Sequence, residues 1–176
     1  MKTFIKNQTM MITNIVIVIA LVLLDQYTKL LAINNLKEKS DIILIPGVLQ
    51  LHYLENTGAA FSMLEGKQGL FAIITPIMLL IMMYVVYKLP KIKKYLCLNY
   101  VIVFIIAGAI GNYIDRICNN YVVDFIYFSL INFPVFNVAD CYVTVSVIAL
   151  ILLILFVYKD EDFEELKEHF RFKKNG

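Results

Sequence analysis

The segment that decides the fold is residues 11–33, MITNIVIVIALVLLDQYTKLLAI. A helix needs about 20 mostly apolar residues to cross the hydrocarbon core of a membrane. This segment is long enough, and only two charged residues, Asp25 and Lys29, interrupt it. It is too long for the apolar part of a signal peptide and lacks a small-residue cleavage site, so we predict a retained transmembrane helix.

Three more segments have the same length and apolar character. The whole chain of 176 residues is 60% hydrophobic and only 17% charged, whereas soluble domains usually contain about 25% charged residues. We therefore predict an all-α polytopic membrane protein that forms a single membrane domain, residues 1–176. The four predicted transmembrane helices are residues 11–33, 69–87, 95–114 and 138–158.

Lysine and arginine are distributed unevenly between the links. The link at residues 88–94 has four lysines and no acid, and both terminal tails are also rich in lysine. The link between the third and fourth helices contains only Arg116. The positive-inside rule then places both termini in the cytoplasm and residues 34–68 and 115–137 outside. For the charged cytoplasmic tail, residues 159–176, an interfacial amphipathic helix and a solvated tail are equal alternatives.

The predicted outer segments are not ordinary linkers. Apolar and polar residues alternate over residues 49–53, LQLHY, after a turn signal at Pro46-Gly47, as expected for a half-exposed strand. We therefore predict a small extracytoplasmic β-sheet within residues 42–64. Residues 125–136 are almost wholly apolar but too short to span, and we expect them to lie in the interface or to cap the helices.

Polar residues collect at one depth, on the predicted outer side. Asp25 and Lys29 are four residues apart and share a helix face. Asn112 and Asp115, three residues apart and beside Arg116, lie at the outer end of the third helix. Asn137 and Asp140, also three residues apart, lie at the outer end of the fourth helix, and Asp124 lies in the loop between the two helices. Charges within membrane helices are costly and often functional.

Two carboxylates in a partly dry site cannot both ionise easily, so such a pair holds one proton and can activate water and polarise a carbonyl group. Asp124 and Asp140 suit this role because both are flanked by apolar residues. The alternatives are a solvated loop acid for Asp124 and a helix N-cap for Asp140. We interpret Asp115, next to Arg116, and the pair of Asp25 with Lys29 as structural ion pairs.

Other chemistries have weaker support. The three cysteines form no CxxC pair and the two histidines no HExxH motif, so we expect no metal site. Ser62 with Lys29 would give a Ser–Lys site, but nothing in their spacing supports it. A transporter or proton relay would need polar residues continuing inward, where Asn14 and Asn99 are the main ones. A non-enzymatic assembly protein locked together by its polar cluster is the other alternative.

The polar clusters also form an ordered set of motifs. These are DQYTK at 25–29, NTGAAFS at 56–62, GNYIDR at 111–116, VVDF at 122–125 and FPVFNVAD at 133–140. In order and spacing they closely resemble the lipoprotein signal peptidase family, the bacterial signal peptidase II enzymes. The resemblance covers residues 12–158, and five motifs in order make it specific.

The resemblance implies an aspartyl endopeptidase of the bacterial cytoplasmic membrane, with its active site near the outer face and no cofactor or metal. Such enzymes remove the signal peptide of diacylglyceryl-modified prolipoproteins just before the lipidated cysteine, and globomycin inhibits them. Prolipoproteins and membrane lipid are therefore the expected partners, and nucleic acid is not. The catalytic pair maps to Asp124 and Asp140. The expected supporting residues are Asp25, Lys29, Asn56, Gly58, Asn112, Asp115, Arg116 and Asn137. A small outer sheet and an outer helix are also implied.

Overall fold

Four helices in the structure are long and apolar enough to cross a membrane. The computed structural model of the protein describes residues 7–58 and 68–171. The helices are α1 (Asn7–Leu36), α2 (Gln68–Lys88), α3 (Leu96–Asn119) and α4 (Val138–Leu152), and α4 continues through a π turn at Leu153–Val157. The four predicted membrane helices are confirmed.

Two helices extend beyond their predicted ends. α3 ends at Asn119 rather than near residue 114, and its cap, Asn120, has a left-handed φ of 63°. Asp115 and Arg116 therefore lie inside a helix and not in the following loop. The prediction stopped early because it followed apolar character, whereas the last turns of α3 carry the polar side chains that face the site. α1 similarly begins at Asn7 and ends at Leu36.

Helix α3 is the centre of the bundle, because α1, α2 and α4 all pack against it. The approach of α4 is especially close at Gly108. A Cβ atom added there would lie 2.6 Å from the Ala139 carbonyl oxygen and 2.7 Å from a Val143 methyl carbon. Small residues allow helix backbones to approach in this way. Gly108 therefore sets the distance between the two helices that carry Asn112 and Asp140.

A three-stranded antiparallel sheet packs against the C-terminal end of α1. Its strands are β1 (Ile42–Ile45), β2 (Leu49–Asn56) and β3 (Val122–Phe128), in the order β1-β2-β3. Val123 and Phe125 of β3 pack on Ala32 and Leu36 of α1. The predicted small sheet is confirmed at 42–45 and 49–56, its position outside the membrane stays a prediction, and residues 59–64 of the predicted region lie outside the described residues.

Strand β3 is a correction to the sequence analysis. Its first four residues, 122–125, are all buried, so neither face shows the alternation by which a half-exposed strand is recognised. The expected capping segment instead continues the sheet, since the Phe125 and Ile126 amides donate to the Phe136 carbonyl oxygen at 3.0 and 2.8 Å. Within the described part of the outer link, the helical structure after α3 is one 3-10 turn at Ser129–Ile131.

The charged tail forms a fifth helix, α5 (Asp160–Phe170). Leu166 packs on a cluster that includes Leu89, Tyr95 and Tyr158, and Lys94 forms an ion pair with Asp162. A helix in this tail is therefore confirmed for 160–170, and it is docked on the link that precedes α3. Its position at a membrane interface stays a prediction, and residues 172–176 lie outside the described part.

Candidate active site

Lys29 is the centre of a buried ion cluster that joins α1 to α3. Its ammonium nitrogen lies 2.9 Å from Asp25 Oδ2 and 3.0 Å from Asp115 Oδ2, and it donates a hydrogen bond of 2.9 Å to Asn112 Oδ1. The Lys29, Asp25 and Asp115 side chains are at most 3% exposed. The structural interpretation of the Asp25 and Lys29 pair is supported by this geometry.

The partner of Asp115 differs from the expected one. Asp115 pairs with Lys29 rather than with its neighbour Arg116, because successive helix residues point in different directions and do not face each other. Its Oδ2 atom also accepts the Val123 amide at 3.0 Å. Asp115 therefore fastens strand β3 to helix α3 one residue before Asp124.

Asp25 joins three helices at one point. Its Oδ1 atom accepts the Ala139 backbone amide of α4 at 2.9 Å. On the α3 side, a Cβ atom at Gly111 would lie only 2.5 Å from Asp25 Oδ2. Gly111 is thus required by the close approach of a buried carboxylate, and Asp25 holds the start of α4 in place.

Asp124 lies on β3 and is only 1% exposed, so the solvated-loop alternative is wrong. Asn56 Nδ2 donates to its Oδ2 at 2.8 Å, and Asn137 Nδ2 donates to its Oδ1 at 2.6 Å. Burial raises the pKa of Asp124 from 3.8 to about 7, and the nearby charge of Asp140 acts in the same direction. Asp124 can therefore hold a proton near neutral pH.

Asp140 lies in the first turn of α4 but is not its N-cap. Asn137 is the cap: its Oδ1 accepts the Asp140 amide at 3.0 Å, and Asp140 Oδ2 accepts the Asn137 amide at 3.1 Å. This reciprocal capping box and the helix N-terminus both favour a negative charge on Asp140. Unlike Asp124, Asp140 is only half-buried, and so it is the more accessible carboxylate.

Two asparagine side chains connect the carboxylates. Asn137 Nδ2 donates to Asp124 and also to Asn112 Oδ1 at 3.1 Å. Asn112 Nδ2 donates to Asp140 Oδ1 at 2.8 Å. Because Asn112 Oδ1 also accepts from Lys29, each amide has one consistent orientation. The chain of bonds fixes Asp124 and Asp140 relative to each other and to the buried cation.

Arg116 and Gly58 close the site from the β2 side. The Gly58 amide donates to Asn56 Oδ1 at 2.9 Å, which directs the Asn56 amino group towards Asp124. Arg116 donates to the Gly58 and Asn112 carbonyl oxygens, both at 3.3 Å, and its guanidinium lies over the Phe71 ring. The two catalytic candidates and all eight supporting residues are thus in one connected region. Residues 59–62 of the NTGAAFS motif, including Ser62, lie outside the described residues.

The sequence analysis did not single out Gln26. Its Nε2 atom donates to Asp115 Oδ1 at 3.0 Å and, at 3.2 Å, to Asp25 Oδ2 and the Gly111 carbonyl oxygen. An amide next to an acid within an apolar helix was the available signal. In the described part of the chain, the site included, no three His, Cys, Asp or Glu side chains are placed to hold a metal ion.

Comparisons with known proteins agree with this arrangement. The family model described as signal peptidase (SPase) II matches residues 17–156. A lipoprotein signal peptidase of Enterococcus faecalis is 40% identical, over 89% of this chain and 90% of its own. One of Caldanaerobacter subterraneus is 45% identical, over 81% and 95%.

Solved structures give the same result. One, described as a bacterial membrane enzyme, has a TM-score of 0.70 and 37% identity over 81% of this chain and 87% of its own. Another with the same description has a TM-score of 0.70 and 36% identity over 83% and 94%. The residues matched by the family model, 17–156, include every candidate in the site. The chain therefore belongs to the signal peptidase II family.

Proposed function

We propose that this chain is an aspartic endopeptidase that removes signal peptides from diacylglyceryl-modified prolipoproteins, cutting just before the lipidated cysteine, with Asp124 and Asp140 as its catalytic pair. The observation that carries the proposal is the pair of carboxylates joined through Asn112 and Asn137, in a chain of the signal peptidase II family. The remaining candidates are positioning residues, since their side chains hold the pair or its supports.

The two acids have different roles because their surroundings differ. Asp140, half-buried at a helix N-terminus and accepting two N–H groups, carries the negative charge. Asp124, buried and with a pKa of about 7, carries the shared proton. This division is the one expected when two neighbouring carboxylates experience unequal desolvation.

The reaction then needs one water molecule and the transfer of protons between that water, the two acids and the departing amine. Asp140 takes a proton from the water molecule, and the water oxygen attacks the scissile carbonyl carbon. At the same time Asp124 donates its proton to the carbonyl oxygen. In the second step the protonated Asp140 gives its proton to the departing amine, while Asp124 recovers a proton from the tetrahedral intermediate. The carbon–nitrogen bond breaks, and both acids return to their starting states.

The substrate reaches this pair from the lipid. A signal helix and two acyl chains favour hydrocarbon over water, and the site joins the ends of membrane helices to an adjoining sheet. The lysine distribution supports a chain in the bacterial cytoplasmic membrane with cytoplasmic termini and the catalytic pair near the outer face. Globomycin-type inhibitors are expected to occupy the same region.

A transporter or proton relay is less well supported. Asn14 and Asn99, the main inner polar residues, donate to each other at 3.0 and 2.9 Å and are both buried. Because each amide satisfies the other, they form a closed pair rather than a step in a path.

The proposal is tested with the purified full-length protein in detergent micelles. It is given a prolipoprotein with a diacylglyceryl group on its lipobox cysteine, and the products are identified by mass. We expect cleavage on the amino side of the lipidated cysteine and much slower cleavage of a matched Cys→Ser substrate that carries no lipid. No cleavage of the lipidated substrate, or equal cleavage of both, would contradict the proposal.

A further inference from the structure

An apolar groove lies between α1 and α2 and extends from their ends near the lysine-rich link, residues 88–94, to Ile110 of α3. Its volume is about 270 Å³. Helices α1 and α2 form its walls through residues such as Ile15 and Val86, and α3 forms its floor. The floor residues Val103 and Ile106 are 1% and 4% exposed. The groove is therefore a formed feature of the bundle, with one end near the lysine-rich link.

The groove offers hydrocarbon surface almost exclusively. Asn14 is its one amide-bearing lining residue, and both hydrogen bonds of its side chain are made with Asn99. A ligand in the groove would find no unsatisfied donor or acceptor on that side chain. Such a surface suits an alkyl chain rather than a polar molecule.

A lysine is hydrogen-bonded to the backbone of one residue of this groove. The Lys91 ammonium group donates a hydrogen bond to the carbonyl oxygen of Val86, and Val86 lines the groove. Lys91 is partly buried, and burial lowers its pKa. Within the described residues no carboxylate lies within ion-pair distance of its nitrogen, whereas nearby Lys94 pairs with Asp162. Among the residues that the structure describes, Lys91 is thus a cation without an anionic partner.

We propose that the groove and Lys91 form a binding site for an anionic glycerophospholipid, with one acyl chain between α1 and α2 and the phosphate at Lys91. The charge of Lys91 selects this occupant over the substrate. A signal peptide begins with a positively charged segment, which the Lys91 ammonium group would repel. Basic pockets between membrane helices on the lysine-rich side are suited to anionic headgroups. The inference does not depend on the proposed enzymatic activity.

The test compares two lipids that differ in headgroup charge. The full-length protein in neutral detergent micelles is titrated with dioleoylphosphatidylglycerol or dioleoylphosphatidylcholine, and binding is followed by native mass spectrometry and by the melting temperature. We expect the anionic lipid to bind more tightly and to raise the melting temperature, because only its net negative charge complements Lys91.

Matched variants separate the headgroup from the chain. Lys91→Gln keeps a donor for Val86 but loses the charge, and should weaken phosphatidylglycerol binding about tenfold, whereas Lys91→Arg should retain it. Lys39→Gln is the control, since Lys39 makes the same kind of bond to the Asn34 carbonyl oxygen at the opposite end of the bundle. Val18→Phe fills the groove and should weaken binding. Val16→Phe, on an exposed face of α1, should not.

The outcomes distinguish this site from ordinary lipid contact and from a substrate site. Equal binding of the two lipids, or unchanged binding by Lys91→Gln, would overturn the proposal. It would also be overturned if Val18→Phe blocked prolipoprotein cleavage while phosphatidylglycerol binding stayed at the wild-type level, since the groove would then serve the substrate. The melting temperature of each variant without lipid shows whether it is folded. Failure of the peptidase assay alone leaves the lipid measurement unaffected.

Discussion

At the residue scale, one ammonium group holds the site together. A lysine has three N–H donors, and those of Lys29 are directed at Asp25, Asp115 and Asn112. Two buried negative charges thus share one positive charge, and Gln26 donates further hydrogen bonds to both acids. Removing the cation leaves two buried carboxylates without their ion-pair partner. The cluster is therefore more sensitive to loss of Lys29 than an isolated surface pair would be.

We predict that Lys29→Met lowers the free energy of unfolding by about 3–5 kcal/mol, the cost of leaving buried charges unpaired. Lys37→Met is the matched control, because the ion pair of Lys37 with Glu55 is about 40% exposed on both sides and should contribute less than about 1 kcal/mol. The comparison is made by chemical unfolding in detergent micelles. Equal losses of unfolding free energy in the two variants would show that the buried cluster contributes no more to stability than a surface ion pair.

The protonation of Asp124 makes stability depend on pH. Its pKa is about 7 in the folded protein against a usual value of 3.8. Between about pH 4 and pH 7 the folded state keeps a proton that the unfolded state has released, so stability falls as pH rises. The contribution is complete below pH 4 and is lost as pH passes 7. The loss is on the order of 2–4 kcal/mol.

This dependence is measured against Asp124→Asn, which cannot titrate at that position. We expect the difference in unfolding free energy, wild type minus variant, to decrease steadily from pH 4 to pH 8. The amide also replaces one acceptor oxygen with a donor group, which shifts the whole difference by a constant without changing its slope. A difference that does not vary with pH would mean that Asp124 is ionised in the folded protein at all of these pH values.

At the element scale, one residue at the start of α4, Asn137, has two functions. Asn137 caps the helix through Oδ1 and bridges Asp124 and Asn112 through Nδ2. The first function is local to α4, whereas the second reaches β3 and α3. Since serine is also a good N-cap but has no amide group, the two functions can be separated by one substitution.

We predict that Asn137→Ser keeps most of the stability but slows cleavage by about tenfold or more, the loss expected for one hydrogen bond to a charged group. Asn137→Ala should lose both, with about 1 kcal/mol of stability removed. Melting temperatures and single-turnover cleavage rates of the two variants provide the measurement. If the serine variant cleaved at the wild-type rate, the bridge would have no role in positioning the pair.

The elements differ in how far the sequence could predict them. Length and apolar character were enough for the membrane helices, because spanning a bilayer imposes both. Alternation at residues 49–53 revealed β2. β3 was missed because residues 122–125 are buried on both faces and its pairing with β2 joins distant parts of the chain. Local pattern carries no information about such a pairing.

The candidate site was predictable to a similar extent. Spacings of three and four residues identified its polar pairs, such as Asp25 with Lys29, because helix geometry fixes which residues share a face. The tertiary partners were not predictable. That Lys29 rather than Arg116 would pair with Asp115, and that Asn112 and Asn137 would link the two acids, depends on how α1, α3 and α4 approach one another.

At the scale of the whole molecule, the lysine-rich link and docked α5 lie at one end and the site lies at the other. We predict that this axis crosses the membrane with the site outside. The test uses a cysteine-free protein carrying either Lys39→Cys beside the sheet or Glu168→Cys on α5, both exposed. An impermeant maleimide added to intact cells should label only position 39, and both after permeabilisation. Labelling of position 168 in intact cells would reverse the orientation.

The same axis explains why chemistry is confined to one end. Five of the buried polar side chains, Asp25, Lys29, Asp115, Asp124 and Asn137, lie at the site, whereas the half of the bundle nearer the lysine-rich link holds the closed pair of Asn14 and Asn99. In the proposed orientation, a substrate would therefore meet the catalytic candidates only near the outer membrane surface, where water is available. The central claim is that Asp124 and Asp140 act together at that place.

The most direct test is cleavage of diacylglyceryl prolipoprotein by Asp124→Asn and Asp140→Asn, with Asp41→Asn as a control that alters an outer acid paired only with Gln50 and His52 in the described residues. We predict a loss of at least about a thousandfold in rate for each of the first two variants, with folded protein verified by its melting temperature, and no loss for the control. Cleavage near the wild-type rate by either Asp124→Asn or Asp140→Asn would contradict the assignment of the catalytic pair.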